Sequence, residues 1–524
     1  MKRNILYTVI CLSVLVFTSC DDWLLDPAPN VSKLEDYYTG GDAALQCVTA
    51  CYVPLMWEFN TTYFSEWFIG DVVSDDALKG GQDIGDMAAV YDMENWKTNT
   101  NNDYLLDFYR AQYQGVGRCN LAVSVIPNVP EDSIMQQSKN GITMRQRMLG
   151  EAYFLRAYYY FRLVRVFGGV PKVDFIIDTS DKWQQPRASA DDIYQFILED
   201  LTKAEQNLWL KSDYSSKDLG RVTKGAAQAM LLKINLYVKN YKEAKKWGEA
   251  VIGSGEYDLC PDYADNFTLA GENGMESVFE IQYATEQTSD YGEGNGFTRG
   301  AFTQILTRSR SSKLGGGWGF NHPTQNLYNE YEAGDPRRDQ TIFDPIGQMV
   351  NEAEEIYLGS RYLNRKTMWI NKDNTIPSLD HPSRGPLNNR QIRYADVLLM
   401  YAEACMEDND LGLAKQNLNL VRERARGEDE TILPDFPYGS YADNQSDLRK
   451  AIRHERRVEL GMEGHRWFDL CRWGIAKQTM DAYQATETPE AQAEMGVFIE
   501  GKNELFPIPS KEIDLNPMEQ NPGY

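Results

Sequence analysis

The chain has 524 residues, with 53 Lys and Arg against 77 Asp and Glu, giving a formal net charge of −24. This length can bury a large core and by itself predicts about two to four domains. The excess of negative charge would repel polyphosphates, so we exclude nucleic acid as a partner.

The N-terminus predicts an exported lipoprotein. Two basic residues at positions 2 and 3 precede an apolar run over residues 5–17, and small residues then lead to Cys20. This order is typical of a signal peptide over residues 1–19, and the run is too short to stay as a membrane span. The four residues that end at Cys20 resemble a lipobox, so we predict lipidation of Cys20. A plain secretory signal is the alternative.

The cysteines do not indicate a metal site. There are eight of them, with no CxxC pair and no histidine close enough to complete a zinc site. Cys47 and Cys51 are one helical turn apart, a spacing at which a disulfide would be strained. We therefore interpret most of the cysteines as buried thiols.

Helical periodicity dominates the first part of the chain. Asp42 is expected to cap a helix running towards Trp57, and residues 59–102 show no clean period and predict a long irregular excursion. Helical patterns follow at residues 104–125, 145–167 and 190–210. In the second of these, apolar residues recur every three or four positions from Met148 to Val166, which predicts a central helix ended by Gly168 and Pro171.

The second half begins with paired helices. Residues 226–239 and 241–253 form one predicted pair and residues 394–407 and 413–426 another, and both resemble tetratricopeptide hairpins. Between the pairs, residues 277–282 alternate like a strand, and no helical period survives from there to residue 320. Loops on a rigid helical frame are common binding surfaces, so both excursions are candidates for the functional face.

Charged residues near the C-terminus predict structure and not catalysis. Residues 447–463 read as a helix whose glutamates and arginines recur at steps of three and four, a spacing suited to ion pairs. In the motif that follows this helix, we expect the guanidinium and indole groups to pack into the fold; its residues are Arg466, Trp467, Asp469, Arg472 and Trp473. The four histidines stand in no hydrolase or metalloprotease motif, so we predict no catalytic residues.

A metal site is not predicted either. Asp71, Asp75, Asp76, Asp83 and Asp86 are spaced loosely like oxygen donors to calcium, but the ordered loop pattern is missing. We therefore expect no cofactor and keep bound calcium only as a candidate.

Six short motifs together resemble the SusD/RagB family, the surface lipoproteins of Bacteroidetes nutrient-uptake systems. They are EAYFLRA at 151–157, FGGVP at 167–171, ADVLLMYAEA at 395–404, RWFDLCRW at 466–473 with LFPIP at 505–509, and the terminal QNPGY at 520–524. They occur in the family's order, and with Cys20 the resemblance spans residues 20–524.

The resemblance implies a mostly α-helical SusD-like fold with tetratricopeptide-like hairpins and a loop-rich half that binds ligand. It divides the chain into a signal peptide (1–19), a SusD-like N-terminal region (20–240) and a RagB/SusD C-terminal region (241–524), the last two forming one intertwined unit. Asp21 and Asp22 resemble the acidic signal that sends such lipoproteins to the cell surface. The expected location is therefore the outer membrane, lipid-anchored and facing outwards.

The implied function is capture of an oligosaccharide and its delivery to a TonB-dependent, SusC-like outer-membrane transporter. A pyranose needs flat rings against its C–H faces and polar groups around its hydroxyls, and the two excursions contain both. The ligand-binding candidates, assigned by region, are Trp67, Asp71, Trp96, Asn101, Tyr283, Arg308, Trp318 and Phe320. Trp96 and Trp318 are favoured because core packing is hard to arrange in their Gly- and Asn-rich surroundings.

Three alternatives stay open. A RagB-like protein would bind peptide in a wider and more acidic cleft with fewer exposed rings. A secreted glycoside hydrolase would need two carboxylates about 5–10 Å apart in a cleft. A pure tetratricopeptide scaffold for protein assembly would lack a pocket near Trp96 or Trp318.

Overall fold

The structure, a computed structural model, describes residues 37–58, 65–286, 299–351 and 359–524. The predicted signal peptide and the predicted lipidation site Cys20 lie outside these ranges. The described residues form eighteen α-helices and eight short strands. The prediction of a mostly α-helical protein is therefore confirmed.

The helices fall into three stretches of the chain. The first contains α1 (Gly41–Tyr52), α2 (Trp67–Gly70), α3 (Ala88–Glu94), α4 (Asp103–Val125), α5 (Met144–Phe167) and α6 (Ala190–Asn207). The second contains α7 (Lys224–Tyr237), α8 (Tyr241–Gly253), α9 (Thr303–Thr307), α10 (Gln325–Glu330), α11 (Arg337–Thr341), α12 (Tyr394–Glu407) and α13 (Leu411–Arg426). The last contains α14 (Gln445–Leu460), α15 (Arg466–Trp473), α16 (Ala476–Gln484), α17 (Pro489–Glu494) and α18 (Ser510–Leu515).

Helix α5 is the central element, as predicted. It starts with a capping box in which Thr143 and Gln146 bond each other's backbone, which satisfies two N–H groups that a helix start leaves free. It ends at Gly168, whose φ of 70° is costly for a side chain with a Cβ. Nearly all of its residues are buried, because α4 and α6 pack extensively against it and α1 also contacts it. The helix is thus enclosed on more than one side.

The two predicted hairpins are confirmed. Helix α7 packs against α8 and α12 against α13, and α8 also packs on α12, which joins the pairs into one scaffold. The contact between α8 and α12 is close at Gly248, where a Cβ would lie 2.4 Å from the ring of Tyr401. The predicted start of α13 is two residues late, because Asp410 caps the helix at its true beginning.

Four two-stranded antiparallel sheets tie distant segments together. The pairs are β1 (Ala77–Gly80) with β5 (Phe320–Pro323), β2 (Ser138–Lys139) with β3 (Ile142–Thr143), β4 (Ser277–Ile281) with β8 (Asn389–Arg393), and β6 (Ile342–Phe343) with β7 (Leu363–Asn364). The predicted strand at 277–282 is confirmed as β4. Its partner β8 is more than 100 residues later, and this pairing brings the loop-rich segment onto the helical scaffold.

Two local predictions are wrong. The first helix is preceded by Gly40 in extended backbone, and Asp42 lies in the first turn without capping it; the α-helix itself ends at Tyr52, and a 3₁₀ turn over Val53–Met56 continues it to Trp57, as expected. The segment after β4 does contain a helix, α9, which covers five residues and is too short to show a period.

Buried ion pairs surround α14, as predicted, but they do not run along one helix face. Glu459 is fully buried and lies between Arg337 at 3.0 Å, Arg393 at 3.1 Å and Arg424 at 2.5 Å, which come from three other segments. Charges removed from water require such partners. The predicted packing of the next motif is also confirmed, since the Arg472 guanidinium lies 4.8 Å from the centroid of the Trp473 ring.

Candidate functional site

A pocket of about 860 Å³, counted out to the open solvent, lies between α5, α7 and strand β8. Its wall also includes the segments around residues 66, 303, 366 and 463. Half-buried side chains present two rings, a hydroxyl, two amides and an imidazole, and they are Phe267, Tyr283, Thr367, Asn389, Gln391 and His465. The pocket therefore combines apolar ring surface with uncharged hydrogen-bonding groups.

Glu58 holds one side of this pocket in place. Its carboxylate is 2 % exposed and accepts hydrogen bonds from the backbone N–H groups of Phe302 at 2.6 Å and Thr303 at 2.9 Å. It also accepts from the hydroxyls of Thr303 at 2.7 Å and Tyr283 at 2.9 Å. Burial raises the pKa of Glu58 above its ordinary value, although these four donors oppose the shift. One carboxylate thus fixes the ring of Tyr283 to the start of α9.

The same threonine links a third segment. The indole nitrogen of Trp67 donates to Thr303 Oγ1 at 3.2 Å. Trp67 is only 4 % exposed, and its ring packs on Phe68. Residues about 240 positions apart are therefore joined by one hydroxyl at the edge of the pocket.

On the opposite side, the α5 residue Tyr158 donates its hydroxyl to the amide oxygen of Gln391 in β8. Gln391 in turn donates to Asn389 Oδ1 at 2.8 Å. These bonds orient two amides on the same face of the strand, and the Asn389 NH₂ group is left to donate to a ligand.

The floor is a turn after α14. Gly464, with φ of 79°, donates its N–H to Asp71 Oδ1 at 2.8 Å, and a Cβ on Gly70 would lie 2.1 Å from the Gly464 carbonyl oxygen. Burial raises the pKa of Asp71 to about 7. Burial also lowers the pKa of His465, the next residue in the turn, to about 4, so this imidazole is neutral at pH 7.

The charges that line the pocket are balanced. Each of its four Lys and Arg side chains lies beside a carboxylate. The pairs are Arg165 with Glu66, Lys233 with Asp396 (2.9 Å), Lys366 with Glu463 (2.7 Å) and Arg390 with Glu280 (3.6 Å). Arg393 and Lys366 outweigh burial and lower the pKa of Glu463 to about 2, so that pair is charged at neutral pH. Because each cation is paired with an anion, a ligand in the pocket would meet little net charge.

The structure brings only part of the predicted site together. Trp67 and Tyr283 line the pocket, and Asp71 is fully buried behind its floor, where it also accepts from Asn321 at 3.3 Å. Asp71 therefore positions the turn and does not face the pocket.

The candidates near residue 100 lie elsewhere. The expectation that core packing is hard to arrange around Trp96 is wrong: its ring is 7 % exposed and packs edge-on against Phe498 at 5.4 Å. Asn101 is exposed and accepts from Ser510 at 2.7 Å. Neither residue lines the pocket, and their roles as ligand contacts remain predictions.

The candidates of the second excursion also lie outside the pocket. Arg308 is buried and donates to the carbonyl of Met368 at 2.9 Å, and burial lowers its pKa to about 10. Phe320 is fully buried in β5. Trp318 is half-buried and packs edge-on against Phe302 at 5.2 Å, behind the segment that Glu58 holds.

Sequence reasoning missed several residues of the pocket. Glu58 directly precedes residues 59–64 and carries no motif, and Asn389 and Gln391 belong to a strand that was not predicted. Burial alternates over residues 389–392, but Ile392 is the only apolar residue of this strand, so the sequence carried no alternation of polarity that could have identified it. Phe267 lies in a 3₁₀ turn, for which the sequence holds no comparable signal.

The aspartates considered for calcium have other partners. Asp75 lies 2.9 Å from Arg457 and 2.8 Å from Arg466, and Asp76 lies 2.8 Å from Arg457. Asp86 pairs with Arg310. Across the described ranges, no three His, Cys, Asp or Glu side chains converge as metal ligands would. Nor does any helix in these ranges combine the length and apolar character needed to cross a membrane.

Comparison with known proteins identifies two family models that match consecutive parts of the chain. The model described as "SusD family" matches residues 275–524. The model described as "Starch-binding associating with outer membrane" matches residues 61–236.

Similar proteins cover nearly the whole chain. The SusD-like protein P2 of Formosa agariphila is 26 % identical over 461 residues, which is 84 % of this chain and 86 % of the relative. A laminarin-binding SusD-like protein of known structure is 27 % identical with a TM-score of 0.77, covering 93 % of this chain and all of the other. Surface glycan-binding protein A from Bacteroides fluxus is 26 % identical with a TM-score of 0.76 over the same shares.

Proposed function

Because this chain belongs to the SusD family, we propose that it binds an oligosaccharide without changing it chemically and delivers it to a SusC-like, TonB-dependent outer-membrane transporter. The observation that carries the binding proposal is the pocket beside β8. The half-buried rings of Tyr283 and Phe267 can receive the C–H faces of a pyranose, and Thr367, Asn389 and Gln391 can bond its hydroxyls.

The charge balance of the pocket favours a neutral glycan. An acidic sugar would need an unpaired cation, but the pocket's lysines and arginines lie beside carboxylates. A peptide-binding cleft was expected to be more acidic, yet three glutamates face four Lys and Arg side chains here. Similarity to proteins named as laminarin-binding and glycan-binding supports the same class of ligand.

The test is glycan-array binding followed by calorimetric titration. Wild-type protein is expected to bind one neutral glycan, and Tyr283→Ala to weaken that affinity at least about tenfold, since it removes both the ring and its bond to Glu58. Trp247→Ala, which alters a half-buried indole on α8, is the matched control and should leave the affinity unchanged. Chromatography of the recovered glycan should show it uncleaved.

Two results would redirect the proposal. Binding to peptides with no binding to any glycan would move the function to peptide uptake. Shortened glycan products that disappear in a carboxylate variant would indicate a hydrolase.

The location and the transporter are part of the same proposal. A protein acylated at Cys20 would be held at the outer membrane by its lipid chains. Cys20→Ser should lose incorporation of labelled palmitate and move to the soluble fraction. Wild-type protein solubilised from outer membranes should co-purify with a β-barrel transporter, and its absence from such complexes would contradict the delivery step.

A further inference from the structure

The segment 171–187 carries an indole that the fold does not use. Trp183 is 68 % exposed and is the most exposed tryptophan in the described part of the chain. The C-terminal segment reaches the next residue, since the Gln184 side chain donates to the carbonyl of Leu515 at 3.2 Å, and Leu515 is itself 65 % exposed. Single exposed apolar side chains are common on protein surfaces, and Trp183 offers the largest flat ring among those of the described residues.

The indole stands on a well-supported segment. Pro171 and Arg187 close its base as a β-bridge, and Arg187 donates to the carbonyls of Gly169 at 2.7 Å and Glu519 at 2.8 Å. At its tip, the backbone N–H of Trp183 donates to the Ser180 carbonyl at 3.3 Å. Such anchoring lowers the entropy that a binding surface loses when a ligand arrives.

A polar groove lies along the same segment. It measures about 820 Å³ out to the open solvent, and it runs between residues 185–188 and the first turns of α6. Its floor is the buried ring of Phe196, covered by the Lys172 ammonium at 5.2 Å. The rim offers amides and carboxylates from half-buried Gln185 and from exposed Asp192, Gln195 and Glu199. The groove shares no lining residue with the pocket beside β8.

The chemistry of this surface suits a sugar better than a protein. Protein docking patches are contiguous apolar areas of several hundred Å². Here, charged residues stand between the apolar ones in the sequence, since Asp178 and Lys182, which form an ion pair at 2.7 Å, both lie between Ile177 and Trp183. Trp183, with its exposed ring, lies two residues before Gln185, the first of the groove residues 185–188, and together the flat ring and the groove's hydrogen-bonding groups match the C–H face and hydroxyl rim of a pyranose.

We propose that Trp183 and the groove along residues 185–188 form a second carbohydrate-binding site, which holds a distant part of the same neutral polysaccharide that the pocket binds. This inference rests on the proposed glycan-binding function. A polymer that reaches both sites gains effective concentration at the second, so the site raises affinity for long chains and not for short ones.

The test compares a polysaccharide with its fragment. Laminarin and starch are the polysaccharide probes in affinity gel electrophoresis, and a six-sugar fragment of the one that binds is the probe in calorimetry. Trp183→Ala should weaken retardation by the polysaccharide about tenfold or more and leave fragment affinity within about twofold. Tyr283→Ala should weaken fragment binding at least about tenfold, Trp183→Phe should retain more retardation than Trp183→Ala, and Trp247→Ala should behave as wild type.

Three outcomes would overturn the inference. If Trp183→Ala is retarded like wild type while Tyr283→Ala is not, the second site is absent and the pocket stands. If wild-type protein binds neither laminarin nor starch, both the second site and the binding of these two glycans by the pocket are refuted. If Trp183→Ala retains polysaccharide binding but loses co-purification with a transporter, the indole is a protein contact.

Discussion

Replacing Glu58 tests whether one buried carboxylate organises the pocket. In Glu58→Leu, the backbone N–H groups of Phe302 and Thr303 lose their acceptor in a buried setting. Each orphaned donor costs about 1–3 kcal/mol, so the free energy of unfolding should fall by about 2–6 kcal/mol. Glu58→Gln should cost about 1 kcal/mol, because its oxygen can keep both backbone bonds while its NH₂ group donates to the two hydroxyls.

The assay is chemical unfolding combined with amide hydrogen exchange. Exchange at residues 302 and 303 should accelerate in Glu58→Leu by more than in Glu58→Gln, and affinity for the glycan should fall because Tyr283 loses its hydroxyl partner. Glu249→Leu is the matched control: it removes an exposed glutamate that also bonds a tyrosine hydroxyl, and it should stay within about 0.5 kcal/mol of wild type. An unchanged exchange rate at these two amides in Glu58→Leu would refute the reasoning.

Three further predictions concern buried charges. Burial raises the pKa of Asp71 from 3.8 to about 7, so the free energy of unfolding of the wild type should fall as the pH rises through that interval. In urea unfolding, the free energy of unfolding of Asp71→Asn should match that of the wild type near pH 4 and exceed it by up to about 4 kcal/mol at pH 8. Hydrogen bonds to Glu330 and Glu332 outweigh burial and raise the pKa of His454 to about 9, so protonated His454 should stabilise the fold below pH 6.5 and lose this effect by pH 10. A difference in the free energy of unfolding between wild type and His454→Asn that persists at pH 10 would contradict this. Glu459→Gln removes the negative charge that three buried arginines share, and it should lower the free energy of unfolding by about 3 kcal/mol or more. If this loss of stability disappeared in 1 M salt, the cluster would be accessible to solvent and the reasoning would be wrong.

Local patterns were sufficient for the helices. The ends of α8 and α12 are predicted to the residue, because apolar spacing and the short polar turns are properties of adjacent residues. Apolar spacing did not identify the short elements. Helix α9 has five residues, less than two turns, and strand β8 is recognised mainly by its pairing with β4, which no local pattern encodes.

The pocket was harder to predict because its contacts join residues far apart in the chain. Glu58 bonds Tyr283 across 225 positions and Thr303 across 245. Nothing near Glu58 in the sequence distinguishes it from the chain's other acidic residues. Of the predicted ligand contacts, Trp67 and Tyr283 line the pocket because the excursions that carry them meet at Thr303.

The tryptophans show why local composition is a poor guide to exposure. Trp96 has Asn95 and a run of polar residues around it, but residues near 498 arrive from the other end of the chain and cover its ring. Trp183 lies in an equally polar stretch, and the C-terminal segment that reaches this region binds the backbone and side chains beside it and leaves the indole uncovered. Whether a ring in a loop becomes core or surface is decided by which distant segment packs on it. For this chain, both segments belong to the last thirty residues, so the C-terminus determines which tryptophans can meet a ligand.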